Sequence, residues 1–378
     1  MVKEKRVARC LFAASDQSAD LFYATGFNVP DPVFWFDIRG KSHLLLNPLE
    51  VDRGRHTARV DRVLSMSEVA ESCQMKSNAS GTPEIEEIVV YLLKKQQIAD
   101  CLVPPDFPVF LADRLRHAEI GVSVRDPFFP SRRKKTVEEI RWITKGQRQA
   151  EAGMRRGLQI LADASIRKDR KLKWGNAVLT SEVLRFEIEH AVRIAGGVPN
   201  HTIVAGGIQS CDPHEVGTGA LRAGQTIILD IFPHDSKSGY YGDLTRTVVK
   251  GNATDAQRKM YRAVKAGQLY AIDSIRAGID GGRLQQEVKN IFTEQGYLTE
   301  IRDSRWVGFF HGLGHGLGLD IHEAPRIAAG RLRSGDVVTV EPGLYYPDIG
   351  GVRLENVVVV ETGGNRNLTR VPYRFEIP

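Results

Sequence analysis

The sequence predicts two domains, a small α/β domain followed by a larger α+β domain, on three observations. The chain has 378 residues, more than one ordinary domain and fewer than three. Pro127-Phe128-Phe129-Pro130 and the basic run Arg132, Arg133, Lys134 and Lys135 punctuate it, which sets the domains at 1–128 and 129–378. The patterning also changes there, from alternating apolar runs and helical stretches to helices first and glycine-bounded strands later. Hydrophobic residues at 42% and charged residues at 26% are ordinary for a folded, water-soluble chain and exclude collagen-like, disordered and disulfide-framework classes.

Each element has a local reason. In the first domain the apolar runs Phe34 to Ile38, Leu44 to Leu46 and Val109 to Leu111 read as strands between helices. Thr82 as cap, Pro83 in the first turn and Ile85, Ile88, Val89, Leu92 and Leu93 at helical spacing predict a helix with one buried stripe. Thr136 with Glu139 makes a capping box that opens a long helix. A further helix starts at Thr180 or Ser181 and closes at Gly196-Gly197, and Thr254 with Gln257 opens another. Four β-rich runs follow the strand signature: 226–232, 240–249, 337–340 and 352–360, the first two suited to a hairpin.

Charge and cysteine usage narrow the partners. The 52 basic against 46 acidic residues leave +6, and the run at 132–135 is followed at once by Glu138 and Glu139, so it reads as a solvated corner and no nucleic-acid partner is expected. Cys10, Cys73, Cys101 and Cys211 form no CxxC pair, which fits reduced thiols and a cytoplasmic location. The apolar stretch near the N-terminus is broken by Ser15 and Asp16, too early for a signal-peptide core. No run approaches the ~20 apolar residues of a membrane span.

The chemistry lies in carboxylates set among apolar residues. Asp230 interrupts Ile227-Ile228-Leu229-Asp230-Ile231-Phe232, where an unpartnered carboxylate costs several kcal/mol. On the returning strand Asp243, Thr245 and Thr247 share a face by alternation, whereas Arg246 points the other way, so a metal is favoured over an Asp–Arg pair as the neutralising partner. His311-Gly312-Leu313-Gly314-His315-Gly316-Leu317-Gly318 fits neither a dinucleotide fingerprint nor a Walker loop, and no HExxH is present. Glu341 ends one strand run and Glu355 borders another. Arg353, two residues earlier, is placed to pair with or orient Glu355. Four carboxylates and an imidazole, Asp230, Asp243, His315, Glu341 and Glu355, are compatible with two divalent ions: manganese, cobalt, zinc or iron.

In that order, the segments LDIF, GDLTRT, HGLGHGLGLDIHE, EPGLYY and GVRLEN resemble the pita-bread metallopeptidases, a family that includes aminopeptidase P, prolidase, methionine aminopeptidase and creatinase. Asp20-Leu21-Phe22-Tyr23-Ala24-Thr25-Gly26-Phe27 is similar to the smaller creatinase-type N-terminal domain of prolidase and aminopeptidase P. The resemblance implies a pita-bread domain of helices packed on a curved, largely antiparallel sheet. It also implies a dinuclear-metal peptidase that cuts between an N-terminal residue and proline by a metal-bridging hydroxide, with manganese most favoured, acting as a homodimer. Carried over, Asp230 binds one metal, Asp243 and Glu355 bridge, and His315 and Glu341 bind the other. Glu341 also shuttles the proton, His322 stabilises the tetrahedral intermediate, and His214 contacts substrate.

The same resemblance implies that His311 flanks the site and that Arg353 is a supporting or substrate-end group. Tyr345 is compatible with pocket lining and with plain aromatic packing, and His201 reads as structural. The alternatives are a creatinase-type hydrolase of a non-peptide C–N bond and a catalytically inactive binding module on the same fold. The spacing of Asp230 and Asp243 is wider than the family pattern, with Pro233 to Gly239 as a longer connection that is expected either to bulge into solvent or to reshape the pocket mouth.

Overall fold

Strand alternation builds the first core. In the computed structural model, which describes residues 6–72 and 84–378, Ala8 and Cys10 of the strand Arg6–Ala13 face one way and Leu11 the other. Phe34 and Phe36 separate from Val33 and Trp35 in the same manner, and Leu45 from Leu44 and Leu46. The sheet runs in the order Arg62–Ser65, Lys41–Leu46, Val33–Ile38, Arg6–Ala13, Ile98–Val103, Gly121–Val124. Val33–Ile38 pairs antiparallel with both of its neighbours, and the other three pairs are parallel.

Helices α1 (Ala19–Thr25), α2 (Val51–Thr57), α3 (Met66–Ser72), α4 (Ile85–Lys95) and α5 (Val109–His117) complete this unit, residues 1–132. In α4 the expected stripe Ile88, Val89, Leu92 and Leu93 is buried. Its expected cap and first turn, Thr82 and Pro83, lie outside the described residues. Val109 to Leu111 is not a strand but the start of α5. Leu111, Ala112 and Leu115 repeat at helical spacing and are buried, while Val109 and Phe110 face solvent.

The second unit, residues 133–378, repeats a pattern of two helices followed by a sheet. Helices α6 (Val137–Asp163) and α7 (Ser181–Ile194) pack through Met154, Leu161, Ile188 and Val192 on a sheet of Ile203–Gly206, Thr226–Ile231, Leu244–Lys250 and Glu376–Ile377. Helices α8 (Asp255–Ser274) and α9 (Gly281–Glu294) cover a second sheet of Glu323–Arg326, His315–Gly316, Val337–Val340, Asn356–Val360 and Asn365–Asn367. Helices are therefore not gathered ahead of the strands as expected: the second helix pair intervenes. Thr136, Thr180 and Thr254 all cap as expected, the first and last in capping boxes.

Two further expectations are corrected. The run 352–360 is two strands, Gly350–Arg353 and Asn356–Val360, broken at Leu354-Glu355. The basic run is only partly solvated: Arg132 pairs with Asp20, Arg133 with the fully buried Asp336, and Lys135 with Glu323. Among the described residues no helix is long and apolar enough to cross a membrane.

Candidate metal centre

Asp230 sits in Thr226–Ile231, an inner strand of the four-stranded sheet, flanked by Ile203 on one side and Thr245 on the other. Directly opposed residues of an antiparallel pair share a face, so Asp230, Thr245 and Asp243 look the same way. Asp243 itself lies one residue ahead of its strand, Leu244–Lys250. Gln147 of α6 brackets its backbone, accepting from Asp243 N at 2.9 Å and donating to Asp243 O at 2.9 Å. This is possible because α6 comes very close: a Cβ on Gly146 would lie 2.7 Å from Gly242 N.

Glu355 reaches the same face from the break between the two strands. Its N–H donates to Thr245 O at 3.1 Å. The Thr245 hydroxyl donates to its carboxylate at 2.7 Å, and the buried Arg246 guanidinium holds its carbonyl at 2.6 Å. The far side comes from the second sheet. Thr339 accepts from His315 N and donates to the Glu341 carboxylate, both at 3.0 Å, so one hydroxyl sets the two side by side. His315 Nε2 then lies 3.2 Å from Glu341 Oε1 and 3.8 Å from Asp243 Oδ2.

These groups share one cavity of about 1060 Å³, whose wall includes Asp230, Asp243, His315, Glu341 and Glu355 together with His214, His311, His322 and Arg353. Of the two readings open for Tyr345, packing is the one seen: it is wholly buried and not among the wall residues, and its hydroxyl meets His311 Nε2 at 2.9 Å and Arg353 at 3.1 Å. Arg353 does not pair with Glu355. Its Nη2 donates to Asp230 Oδ2 at 2.7 Å and its Nη1 to Pro213 O at 3.1 Å, because the strand ends at Arg353 and the two-residue alternation stops there. None of residues 233–239 lines the cavity; the tip is tied down by Asp235, which bonds Gln149, Ser238 and Lys145. His201, read as structural, is in the wall. Asn200, Phe232, Phe310, Ile321 and Arg326 were missed, since no motif marks an ordinary side chain as a wall.

The donor set fits a divalent cation. Asp243, His315 and Glu355 each offer a ligand atom, all within 4.8 Å of one another. Asp230 Oδ1 is buried with no hydrogen-bond partner, a costly state that a cation relieves. Burial, then the charges of Glu355, Asp230 and Glu341, push the Asp243 carboxyl well above its usual range, and burial and Glu341 do the same to Glu355. Glu341 differs: burial raises it, but the hydrogen bond and charge of His315 outweigh that and bring it down to about 2. The His322 ring stands 4.4 Å from that of His315 at 89°. Its pKa falls to about 4 through desolvation and the charges of His315 and Arg326, leaving it neutral near pH 7.

The model of metallopeptidase family M24 matches residues 142–362. The chain is 36% identical over 176 residues to an Xaa-Pro dipeptidase of Pyrococcus horikoshii, covering 45% of this chain and 46% of that one. It is 30% identical over 298 residues to a putative dipeptidase of Bacillus subtilis, covering 76% of each. The match thus spans about half the length of several of these curated relatives. The solved Xaa-Pro dipeptidase from Bacillus anthracis aligns with a TM-score of 0.81 and 23% identity over 99% of this chain and 95% of that one, so the two share a fold.

Proposed function

Because the chain belongs to metallopeptidase family M24, we propose that it is a metal-dependent exopeptidase hydrolysing the bond between an N-terminal residue and a following proline. The observation that carries this reading is the convergence of four carboxylates and His315 on one cavity, with Asp230 Oδ1 left unpartnered. The names of two Pyrococcus relatives support the Xaa-Pro class of substrate.

Asp230, Asp243, His315, Glu341 and Glu355 would hold two divalent ions, manganese first, with cobalt, zinc or iron also suited to oxygen-rich ligation with one imidazole. Such ions supply Lewis-acid polarisation of the scissile carbonyl and acidify water towards neutral pH. Glu341, whose carboxylate accepts from the Thr339 hydroxyl, takes a proton from the attacking water and returns it to the leaving proline nitrogen. His322, neutral at working pH, donates a hydrogen bond to the oxygen on which charge develops. Arg353 joins Asp230 to the Pro213 carbonyl and so keeps His214 beside the cluster to contact the substrate. His311 braces Arg353 through the Tyr345 hydroxyl. Ile203, Val216, Phe232 and Phe310 give the cavity an apolar wall suited to a proline ring.

The buried, unpaired thiols Cys10, Cys101 and Cys211 support a reducing, cytoplasmic setting. A homodimer is implied by the resemblance and is checked by light scattering. The deciding assay is mass spectrometry of products from manganese-loaded protein given an Xaa-Pro dipeptide, an Xaa-Pro-Yaa tripeptide and an Xaa-Ala-Yaa control. Cleavage of the dipeptide alone identifies a dipeptidase, and of the tripeptide an aminopeptidase. Cleavage of the control removes proline specificity, and no cleavage with manganese, cobalt, zinc or iron overturns the reading.

A further inference from the structure

We propose that Lys135 is a positioning residue for His322, acting through the carboxylate of Glu323; this rests on the role given to His322 above. The loop between the strands His315–Gly316 and Glu323–Arg326 is gathered around that carboxylate. Gly318 lies so close that a Cβ there would stand 2.6 Å from Glu323 Oε1, and Asp320 N points to Glu323 Oε2 at 3.4 Å. Gly318 N in turn donates to Asp320 O at 3.0 Å. Lys135 fixes the carboxylate from outside the loop. Its Nζ meets Glu323 Oε1 at 2.5 Å with the two side chains only 2% and 9% exposed, and its own N–H is held by Gly335 O at 2.9 Å.

His322, the residue before Glu323, has no hydrogen bond or ion pair of its own among the described residues, so its ring owes its place against His315 to the backbone that Glu323 anchors. A buried ion pair is a poor device for stability, since apolar residues of the same volume commonly replace one at no loss. What it supplies here is a fixed, directional tether, and a tether next to a group that must meet a developing charge within about 0.5 Å is where such a device acts on rate.

The test uses the full chain. Lys135→Met, and Lys135→Met with Glu323→Met so that no charge is left buried alone, are expected to lower kcat at least about tenfold with KM within about twofold and metal content unchanged. Lys135→Arg is expected to restore most of kcat. The decisive measurement is the cycle with His322→Ala: once the imidazole is gone, removing the ion pair has no further effect. Losses that multiply in that cycle, a loss carried by KM or metal content, or full kcat in the double Met variant each overturn the proposal. Should the wild type cleave no peptide, the peptidase reading fails instead. The tether is then tested by the nuclear Overhauser effect between the His315 and His322 rings, expected to persist in Lys135→Arg and to vanish in Lys135→Met; its persistence in both overturns the tether.

Discussion

Asp230 gives one oxygen to Arg353 and leaves the other buried without a partner, while Asp243 and Glu355 are pushed towards protonation by burial first, then by the charge of Glu355 on Asp243 and of Glu341 on Glu355. Asp243→Ala and Glu355→Ala are therefore expected to abolish hydrolysis and to lower bound metal in elemental analysis; wild-type turnover in either would refute their place in the centre. His322→Ala is expected to slow turnover with metal content retained. Asp235, outside the cavity, gives the pH prediction. Burial raises its pKa, but the Lys145 ion pair and the bonds from Ser238 and Gln149 bring it down from 3.8 to about 2. A carboxylate depressed in the folded state stabilises above its unfolded pKa and loses that contribution as pH falls through the folded one. Wild type should thus lose about 1–2 kcal/mol between about pH 4.5 and pH 2.5 that Asp235→Asn does not, read from urea unfolding of both proteins.

At the scale of elements, α6 is the gauge that places Asp243. A glycine inside a helix ordinarily costs about 1 kcal/mol relative to alanine. Gly146 reverses that rule, because a Cβ there would meet the backbone of Tyr240, Tyr241 and Gly242 within 2.9 Å. Gly146→Ala is expected to destabilise rather than stabilise, by about 1–3 kcal/mol, and to weaken metal binding in calorimetry as the Gln147 bracket shifts from Asp243. A more stable variant with full metal affinity would refute the contact. The glycine alternation around His315 has a similar cause: a Cβ on Gly314 would stand 2.0 Å from Thr339 O, and one on Gly316 2.5 Å from Ala324 O. The spacing that fits no phosphate-binding loop is explained by the close packing of the strands that carry His315.

Across the whole molecule the pita-bread fold expected from the resemblance is the fold shared with the Bacillus anthracis dipeptidase. The two helix-pair-and-sheet halves of the second unit contribute opposite sides of one acidic cavity, Asp230 and Asp243 from the first and His315 and Glu341 from the second, with Glu355 reaching the first side from the strand break before Asn356–Val360. An ion bound there couples the halves and favours the folded state alone. Manganese added to metal-free protein at a hundredfold excess over Kd is expected to raise Tm by about 5–10 °C, and Asp243→Asn should cancel most of that rise in a thermal scan. An equal rise in both proteins would locate the stabilising ion elsewhere.

The sequence by itself determined whatever depends on local pattern. The caps at Thr136, Thr180 and Thr254, the α4 stripe and the carboxylates stranded in apolar runs were legible because capping, periodicity and the cost of burying charge act over a few residues. That Asp230, Asp243, His315, Glu341 and Glu355 deserve notice was legible because they stand in short motifs, and all five line the cavity. Only the tertiary structure decided that Arg353 serves Asp230 and not Glu355, that Tyr345 stands behind the wall, that Val109 to Leu111 begins a helix, and that Lys135 is buried against Glu323. Each of these turns on where one segment meets another more than a hundred residues away, or on which way a short run faces once packed. A pairing over that distance is fixed by the whole core, and neither residue's immediate neighbours record it.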